Sequence, residues 1–340
     1  MQQLLKHKDM KYKEVVGIDV SKLTIDAHHH QSNVHARFDN NSKGFRKLST
    51  WMKKYSVDSV NELLVCFEVT GLYSLNLASF LSQKSIDYVM ENAIQIKRSM
   101  GLTRGKADKV DAKRIAEYAY MRKDALKLTV LPTSEIIKLQ NLLALRERMI
   151  KQKAGYQASL GEYKRVFIQK HEKDFFQMLN SLIVALKKQI QKAEKALLEI
   201  IESSSTLKKQ YDLLTSITGI GIILASNVLV TTVCFNKFDN SRKYACYCGT
   251  APFEYSSGTS IRGRTKVSQM ANKKMKALFN LAARSAIQHD PELKLYFRKR
   301  MDNGANGMST INIIRNKIIH RVFAVIKRGT PYVTLTHNGI

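Results

Sequence analysis

Glu14-Val-Val-Gly-Ile-Asp-Val-Ser-Lys22 is the stretch that decides the fold. Its β-branched apolar residues form a short run with polar ends, which predicts a buried strand. Burying an unpaired charge inside such a run costs roughly several kcal/mol of folding free energy. We therefore expect Asp19 to lie at the solvent-exposed end of the strand, where it binds a positively charged group. Taken alone, Asp19 could equally be a cap on the following turn.

Three further acids extend this pattern. Residues 63–67 predict a second buried strand, which ends in Glu68, and Asp108 and Asp111 lie three apart on a predicted helix over 105–119. Carboxylates about 4 Å apart repel by roughly 4 kcal/mol at an effective dielectric of 20, against a domain stability of about 5–15 kcal/mol. Converging acids therefore imply a bound cation, and hard oxygen ligands favour Mg²⁺ or Mn²⁺. Each acid alone could instead be a cap or a surface charge.

The charge balance indicates the partner. Lys and Arg number 56 against 28 Asp and Glu, a net charge of +28, which favours binding to a polyanion such as nucleic acid. A membrane surface is the rival partner. No apolar run approaches the roughly 18 residues of a transmembrane helix, and the first residues lack a signal-peptide core. We expect a cytoplasmic protein that is associated with the nucleoid when bound to DNA.

Spacing predicts three parts. Residues 1–131 alternate strands (23–31, 34–38, 86–90) with helices (45–55, 73–83), as an α/β domain does, with antiparallel strands leading into parallel ones. Residues 132–205 form a helical connector, in which apolar residues over 179–200 step by four and three. That pattern predicts a coiled coil between molecules, or a pair of antiparallel helices within one chain. Residues 206–340 are mainly helical, with helices over 238–247, 272–287 and 311–326.

Two segments of the last part suggest phosphate binding. The glycine turn over 217–222 opens an apolar helix, so it could either bind a phosphate or allow close helix packing. Residues 249–266 predict a loop rich in hydroxyls and glycines. Its cations and those of the next helix predict a nucleic-acid surface: Arg262, Arg264, Lys266, Lys273 and Lys274.

A family resemblance rests on these motifs in order. Gly17-Ile-Asp-Val-Ser-Lys22, Phe67-Glu-Val-Thr-Gly71 and Lys106-Ala-Asp-Lys-Val-Asp-Ala112 resemble the DEDD acid set of the RuvC-like, ribonuclease-H-type domain in transposases of the insertion-sequence-110 family. Three later motifs look like that family's second transposase domain: Ile217-Thr-Gly-Ile-Gly221, Cys248-Gly-Thr-Ala-Pro252 and Tyr255-Ser-Ser-Gly-Thr-Ser-Ile-Arg-Gly263.

The resemblance implies a function. Asp19, Glu68, Asp108 and Asp111 fall on the metal-binding acids, and Ser257 falls on the serine nucleophile, although Ser256 directly precedes it. Such enzymes are recombinases that excise and insert their own element, guided by a structured bridge RNA. Their serine forms a phosphoserine link to DNA in a composite site with the acids. They act as homo-oligomers, dimers or tetramers, held partly by the coiled coil.

The residues alone leave alternatives open. No His or Asp stands beside Ser257 to activate it, so without the family resemblance Ser256-Ser257-Gly258 reads as an ordinary turn. A RuvC-like nuclease could cut branched DNA with metal-activated water and form no serine adduct. Tyr255 raises a tyrosine recombinase, for which His320-Arg321 alone supplies too few cations. A basic architectural or RNA-binding protein would need no catalysis.

Overall fold

The computed structural model describes residues 11–56, 62–99, 108–167, 171–257 and 261–333, with only the backbone at 255, 257, 261, 262 and 264. The chain divides into two compact units, residues 1–131 and residues 132–340. Within the described residues, no helix is both long enough and apolar enough to cross a membrane.

The first unit is built on a five-stranded sheet of order β3-β2-β1-β4-β5. Strands β1, β2 and β3 are antiparallel neighbours, whereas β4 and β5 continue the sheet parallel to β1. Their bounds are Glu14–Val20, Thr24–His29, Val34–Asp39, Leu63–Glu68 and Asp87–Glu91. The predicted mixed α/β arrangement is therefore confirmed, with antiparallel strands leading into parallel ones.

Helices cover both faces of this sheet. One core contains Val16 and Ile18 of β1 with Phe45 and Leu48 of a helix, and the other contains Val15 with Ile115. This alternation follows from the two-residue period of a strand. The helices are α1 (Ser42–Tyr55), a 3-10 helix (Gly71–Ser74), α2 (Leu75–Gln83), α3 (Ala93–Ser99) and α4 (Asp108–Arg122).

The second unit begins with a long antiparallel helix pair, α5 (Ser134–Val166) and α6 (Lys173–Glu202). The Arg146 Nε atom donates to Glu194 at 2.8 Å near one end, and the Tyr163 and Phe175 rings lie 4.9 Å apart at the other. The apolar series of α6 thus packs within one chain, which was one of the two predicted arrangements. Pairing between molecules stays a prediction.

The remaining helices enclose one large apolar core. They are α7 (Ser205–Thr215), α8 (Ile222–Thr232), α9 (Ser241–Tyr247), α10 (Lys273–His289), α11 (Pro291–Asp302) and α12 (Gly307–Arg328). The predicted loop over 249–266 is wrong, because β6 (Pro252–Ser257) and β7 (Ile261–Val267) pair as an antiparallel hairpin. The segment is rich in hydroxyl side chains and glycines, which are typical of loops, so its composition does not predict a hairpin.

Candidate functional site

Strand pairing brings the first two predicted acids to one edge of the sheet. Strand β1 runs parallel to β4, with Ile18 paired with Phe67, so Asp19 and Glu68 are the next residues on neighbouring strands. Both side chains are partly buried. The carboxyl ends of parallel strands are where open α/β sheets place their ligands.

Helix α4 brings the other two acids to Asp19 by a close approach to β1. A Cβ atom on Gly17 would lie 2.2 Å from the Ala116 backbone N and 2.5 Å from the Ala112 carbonyl oxygen. Only glycine fits there, because contacts below about 3 Å are forbidden to carbon. Asp108 and Asp111 occupy the first turn of this helix, where the helix dipole favours negative charge.

The electrostatics of Asp19 show that the acids converge. The pKa of Asp19 is raised to about 6; burial is the largest cause, and the charges of Asp111, Asp108 and Glu68 contribute to the same rise in that order. Loss of hydration and nearby like charges both disfavour the carboxylate. A cation at this position would relieve that repulsion.

Two arginines already pair with the acids of α4. Arg114 Nη1 donates to Asp111 Oδ1 at 3.0 Å, and Arg37 Nη2 donates to Asp108 Oδ2 at 3.1 Å. The side chain of Asp108 is 55% exposed and that of Asp111 is 27% exposed. Both carboxylates are therefore accessible to a ligand that displaces or joins the arginines.

A fifth acid, Asp26, lies at this site and the sequence reading missed it. It stands directly opposite Asp19 in the β1–β2 ladder, on the face that carries α4. Its side chain is only 4% exposed, and it accepts hydrogen bonds from His35 at 2.8 Å and from Arg37 Nε at 3.0 and 3.1 Å. Its place depends on strand register, which no local motif reveals.

The donor chemistry of the acids suits a hard divalent cation, because carboxylate oxygens are the preferred ligands of Mg²⁺ and Mn²⁺. The raised pKa of Asp19 marks negative charge that a cation would offset. Over the described ranges, however, no group of three acidic, histidine or cysteine side chains is already arranged to hold a metal. The assignment of these acids as metal ligands therefore stays a prediction.

The second candidate site lies on the β6–β7 hairpin. Ser256 pairs with Arg262 and Ser257 pairs with Ile261, so the two serines are the last residues of β6 in this ladder. Ser256 is exposed. The side chains of Tyr255, Ser257, Arg262 and Arg264, and all of residues 258–260, lie outside the described residues.

The remaining predicted cations differ in their surroundings. Lys266 on β7 and Lys273 at the start of α10 are exposed, as a nucleic-acid surface requires. Lys274 instead forms an ion pair with Glu147 of α5 at 2.9 Å. That pairing reduces the charge which Lys274 can offer to a phosphate.

A buried polar network, also missed from the sequence, holds the base of the hairpin. Thr250 is fully buried, and its carbonyl oxygen accepts from the side-chain amides of Asn312 at 2.9 Å and Asn316 at 2.8 Å. Gly249 has φ +66°, and a Cβ there would lie 2.5 Å from the Ala271 Cβ. The motif over 248–252 therefore fixes where β6 begins.

The glycine turn before α8 serves packing. Gly219 has φ +93°, and a Cβ on it would lie 2.5 Å from the Ala282 carbonyl oxygen of α10. Both the left-handed backbone and the close approach require glycine. Of the two readings of this turn, close helix packing therefore has direct structural support.

Two family models match the chain. Residues 16–160 match a model of DEDD transposases of the IS110 type, described as "Transposase", and residues 211–298 match "Transposase IS116/IS110/IS902 family". The first match contains all four predicted acids and the second contains Ser257. A curated protein of Streptomyces coelicolor, "Insertion element IS110 uncharacterized 43.6 kDa protein", is 29% identical over 127 residues. That alignment covers 37% of this chain and 31% of the relative.

Proposed function

The chain belongs to the IS110 family of transposases, and from that premise we propose that it is a DNA recombinase that excises and inserts its own mobile element. The observation that carries this proposal is the position of Asp19, a carboxyl whose pKa is raised to about 6 by burial first and then by the charges of Asp111, Asp108 and Glu68. A carboxyl whose pKa is raised by burial and by neighbouring carboxylates is typical of a functional site. A bound cation would stabilise its charged form.

In this proposal, the first unit is a RuvC-like, ribonuclease-H-type domain whose four acids hold the metal. Mg²⁺ or Mn²⁺, when bound, would stabilise the attacking and leaving oxygens of a phosphodiester. The acids orient that cation. A net charge of +28 attracts the DNA and makes its binding steeply salt-dependent.

The nucleophile in this proposal is the hydroxyl of Ser257. Its oxygen forms a bond to phosphorus while a DNA oxygen leaves and takes up a proton, so the strand is broken and the protein becomes linked through phosphoserine. Lys266 and Lys273 are exposed near the hairpin in sequence and support the binding of the DNA backbone. The Thr250 network supports this role because it fixes the strand that carries the serine.

A structured guide RNA and a homo-oligomer complete the proposal. The basic surface suits RNA as well as DNA, and paired helices such as α5 and α6 offer faces for association between copies. Sequencing the RNA that co-purifies with the protein tests the guide. RNA that maps to the DNA flanking the gene supports it, whereas unrelated cellular RNA contradicts it.

Covalent trapping tests the reaction. The protein, together with the RNA that co-purifies with it, is incubated with element-end DNA and Mg²⁺, and adducts that resist denaturation are counted for wild type, for Ser257→Ala and for the matched control Ser256→Ala. We expect the adduct to disappear only in Ser257→Ala. Cleavage that persists in Ser257→Ala without an adduct indicates a RuvC-like nuclease that uses water. Equal inactivity of wild type in Mg²⁺ and in EDTA indicates a binding protein without catalysis.

A further inference from the structure

Arg37 on β3 contacts two acids of this site and also faces solvent. Its Nε atom donates to both oxygens of Asp26, and its Nη2 atom donates to Asp108. Its side chain is nevertheless 56% exposed, compared with 19% for Arg114. The described residues supply no acceptor for the third nitrogen, Nη1.

Asp26 holds Arg37 in place. A carboxylate that is 4% exposed is stable only if it is paired, and Asp26 is paired with His35 at 2.8 Å as well as with Arg37. Both of its oxygens therefore already have partners within the sheet. This arrangement makes Asp26 an anchor for the guanidinium, and it distinguishes Asp26 from the accessible acids Asp108 and Asp111.

The acid set and the DNA that would bind there are both negatively charged. Phosphate and carboxylate repel each other, by roughly 4 kcal/mol per pair at 4 Å and an effective dielectric of 20. A fixed guanidinium at the mouth of the site offsets that repulsion. Arginine suits this task, because its planar fork can bind one carboxylate with Nε and still present other N–H groups to a phosphate.

We propose that Arg37, anchored by Asp26 and His35, binds a backbone phosphate of the nucleic acid at the mouth of the acid site. This inference rests on the proposed function, since it assumes that DNA reaches the four acids. The guanidinium loses little conformational freedom on binding, because Asp26 already fixes its orientation. The competing interpretation is that Arg37 only neutralises Asp26 and Asp108 and touches no ligand.

Salt dependence of binding separates the two interpretations. Affinity for a short DNA duplex is measured over a range of salt concentrations in EDTA, for wild type and for Arg37→Gln. Each phosphate contact contributes about 0.9 to the slope of log affinity against log salt. We expect Arg37→Gln to reduce the slope by about 0.9, and Arg37→Lys to retain it. A slope unchanged in Arg37→Gln would overturn the proposal.

Two further variants keep the test decisive. Arg46→Gln removes an exposed arginine of α1, on the opposite face of the sheet, and an equal change of slope there would also overturn the proposal. Asp26→Asn/Arg37→Gln removes the buried Asp26 carboxylate together with its arginine partner and so leaves no unpaired carboxylate buried in the sheet, should Arg37→Gln unfold. It is expected to lose the same slope. Because EDTA prevents metal-dependent cleavage, this result does not depend on whether the strand-cleavage proposal holds.

Discussion

The acid site and the β6–β7 hairpin are built in opposite ways. The acids stand on rigid elements, where β1, β4 and α4 meet across a contact that allows no side chain at position 17. The described residues of the hairpin are exposed and are fixed only from its base, through Thr250 and two asparagines. Ligands that must converge on one ion need fixed spacing. In the proposed reaction Ser257 becomes joined to DNA and must later release it. An exposed hairpin suits that task.

The largest difference between the regions is expected in catalysis. Asp19→Asn keeps the shape of the side chain but removes the charge that we propose binds the metal, so we expect DNA strand cleavage to fall by at least about 10³-fold, equivalent to about 4 kcal/mol. Cleavage is measured with labelled element-end DNA in Mg²⁺. Asp212→Asn is the control, since Asp212 is an exposed acid of α7 paired with Lys208. A loss of similar size in both variants would contradict a special role for Asp19.

The next largest effect concerns the contact between β1 and α4. Gly17→Ala forces a Cβ atom against the backbone of α4, so we expect a loss of about 3 kcal/mol in the free energy of unfolding. Gly155→Ala on α5 meets no atom within 4 Å and is expected to gain up to about 1 kcal/mol from helix propensity. Urea denaturation measures both. Equal stability of the two variants would show that β1 and α4 are not in this contact.

The burial of Asp19 and the repulsion among the acids also predict that the stability of the fold depends on pH. Because the pKa of Asp19 is raised from its usual value near 4 to about 6, the folded state binds more protons than the unfolded state between these values. In EDTA, stability from this group is therefore present below pH 4 and is lost as the pH rises to 6. Asp19→Asn should be more stable than wild type above pH 6, by on the order of 1–2 kcal/mol. Thermal melting across pH 4–7 checks this, and a variant that melts lower throughout refutes it.

The smallest effect is expected at the base of the hairpin. Asn316→Ala removes one of two amide donors to the Thr250 carbonyl, which should cost about 1 kcal/mol of stability. We expect adduct formation by Ser257 to slow while Mg²⁺-dependent thermal stabilisation of the acid site stays unchanged. The control is His320→Ala. His320 lies on the same helix as Asn316, is exposed, and contacts Ser241 of α9. Adduct formation at the wild-type rate in Asn316→Ala would indicate that the network does not position the serine.

What the sequence could predict follows from how local each signal is. Strand β1, strand β4 and the acids at their ends are contained in short runs of residues, so they were predictable. Asp26 and Arg37 were not, because their proximity to Asp19 and Asp108 depends on register and on the packing of α4. The role of Gly17 is likewise visible only once α4 lies across the strand.

Helix α11 shows how one signal supports two readings. The sequence predicts helices over 272–287 and 311–326 and no helix between them, where Asp290-Pro291 lies. The structure begins α11 there, with Asp290 Oδ1 accepting from the Leu293 N–H at 3.0 Å and Pro291 at the first helical position. Proline fits that position because its missing N–H would have no partner in the helix. An aspartate before a proline is thus a helix start as readily as a helix end.

Titration of Mn²⁺ into wild type and Asp19→Asn, followed by calorimetry at pH 7, tests the central claim most directly. If the acids at the ends of β1, β4 and α4 form a divalent-cation site, wild type binds Mn²⁺ with measurable heat and Asp19→Asn binds it at least about tenfold more weakly. Identical titration curves for the two proteins would contradict the account, and so would a wild type that binds no Mn²⁺.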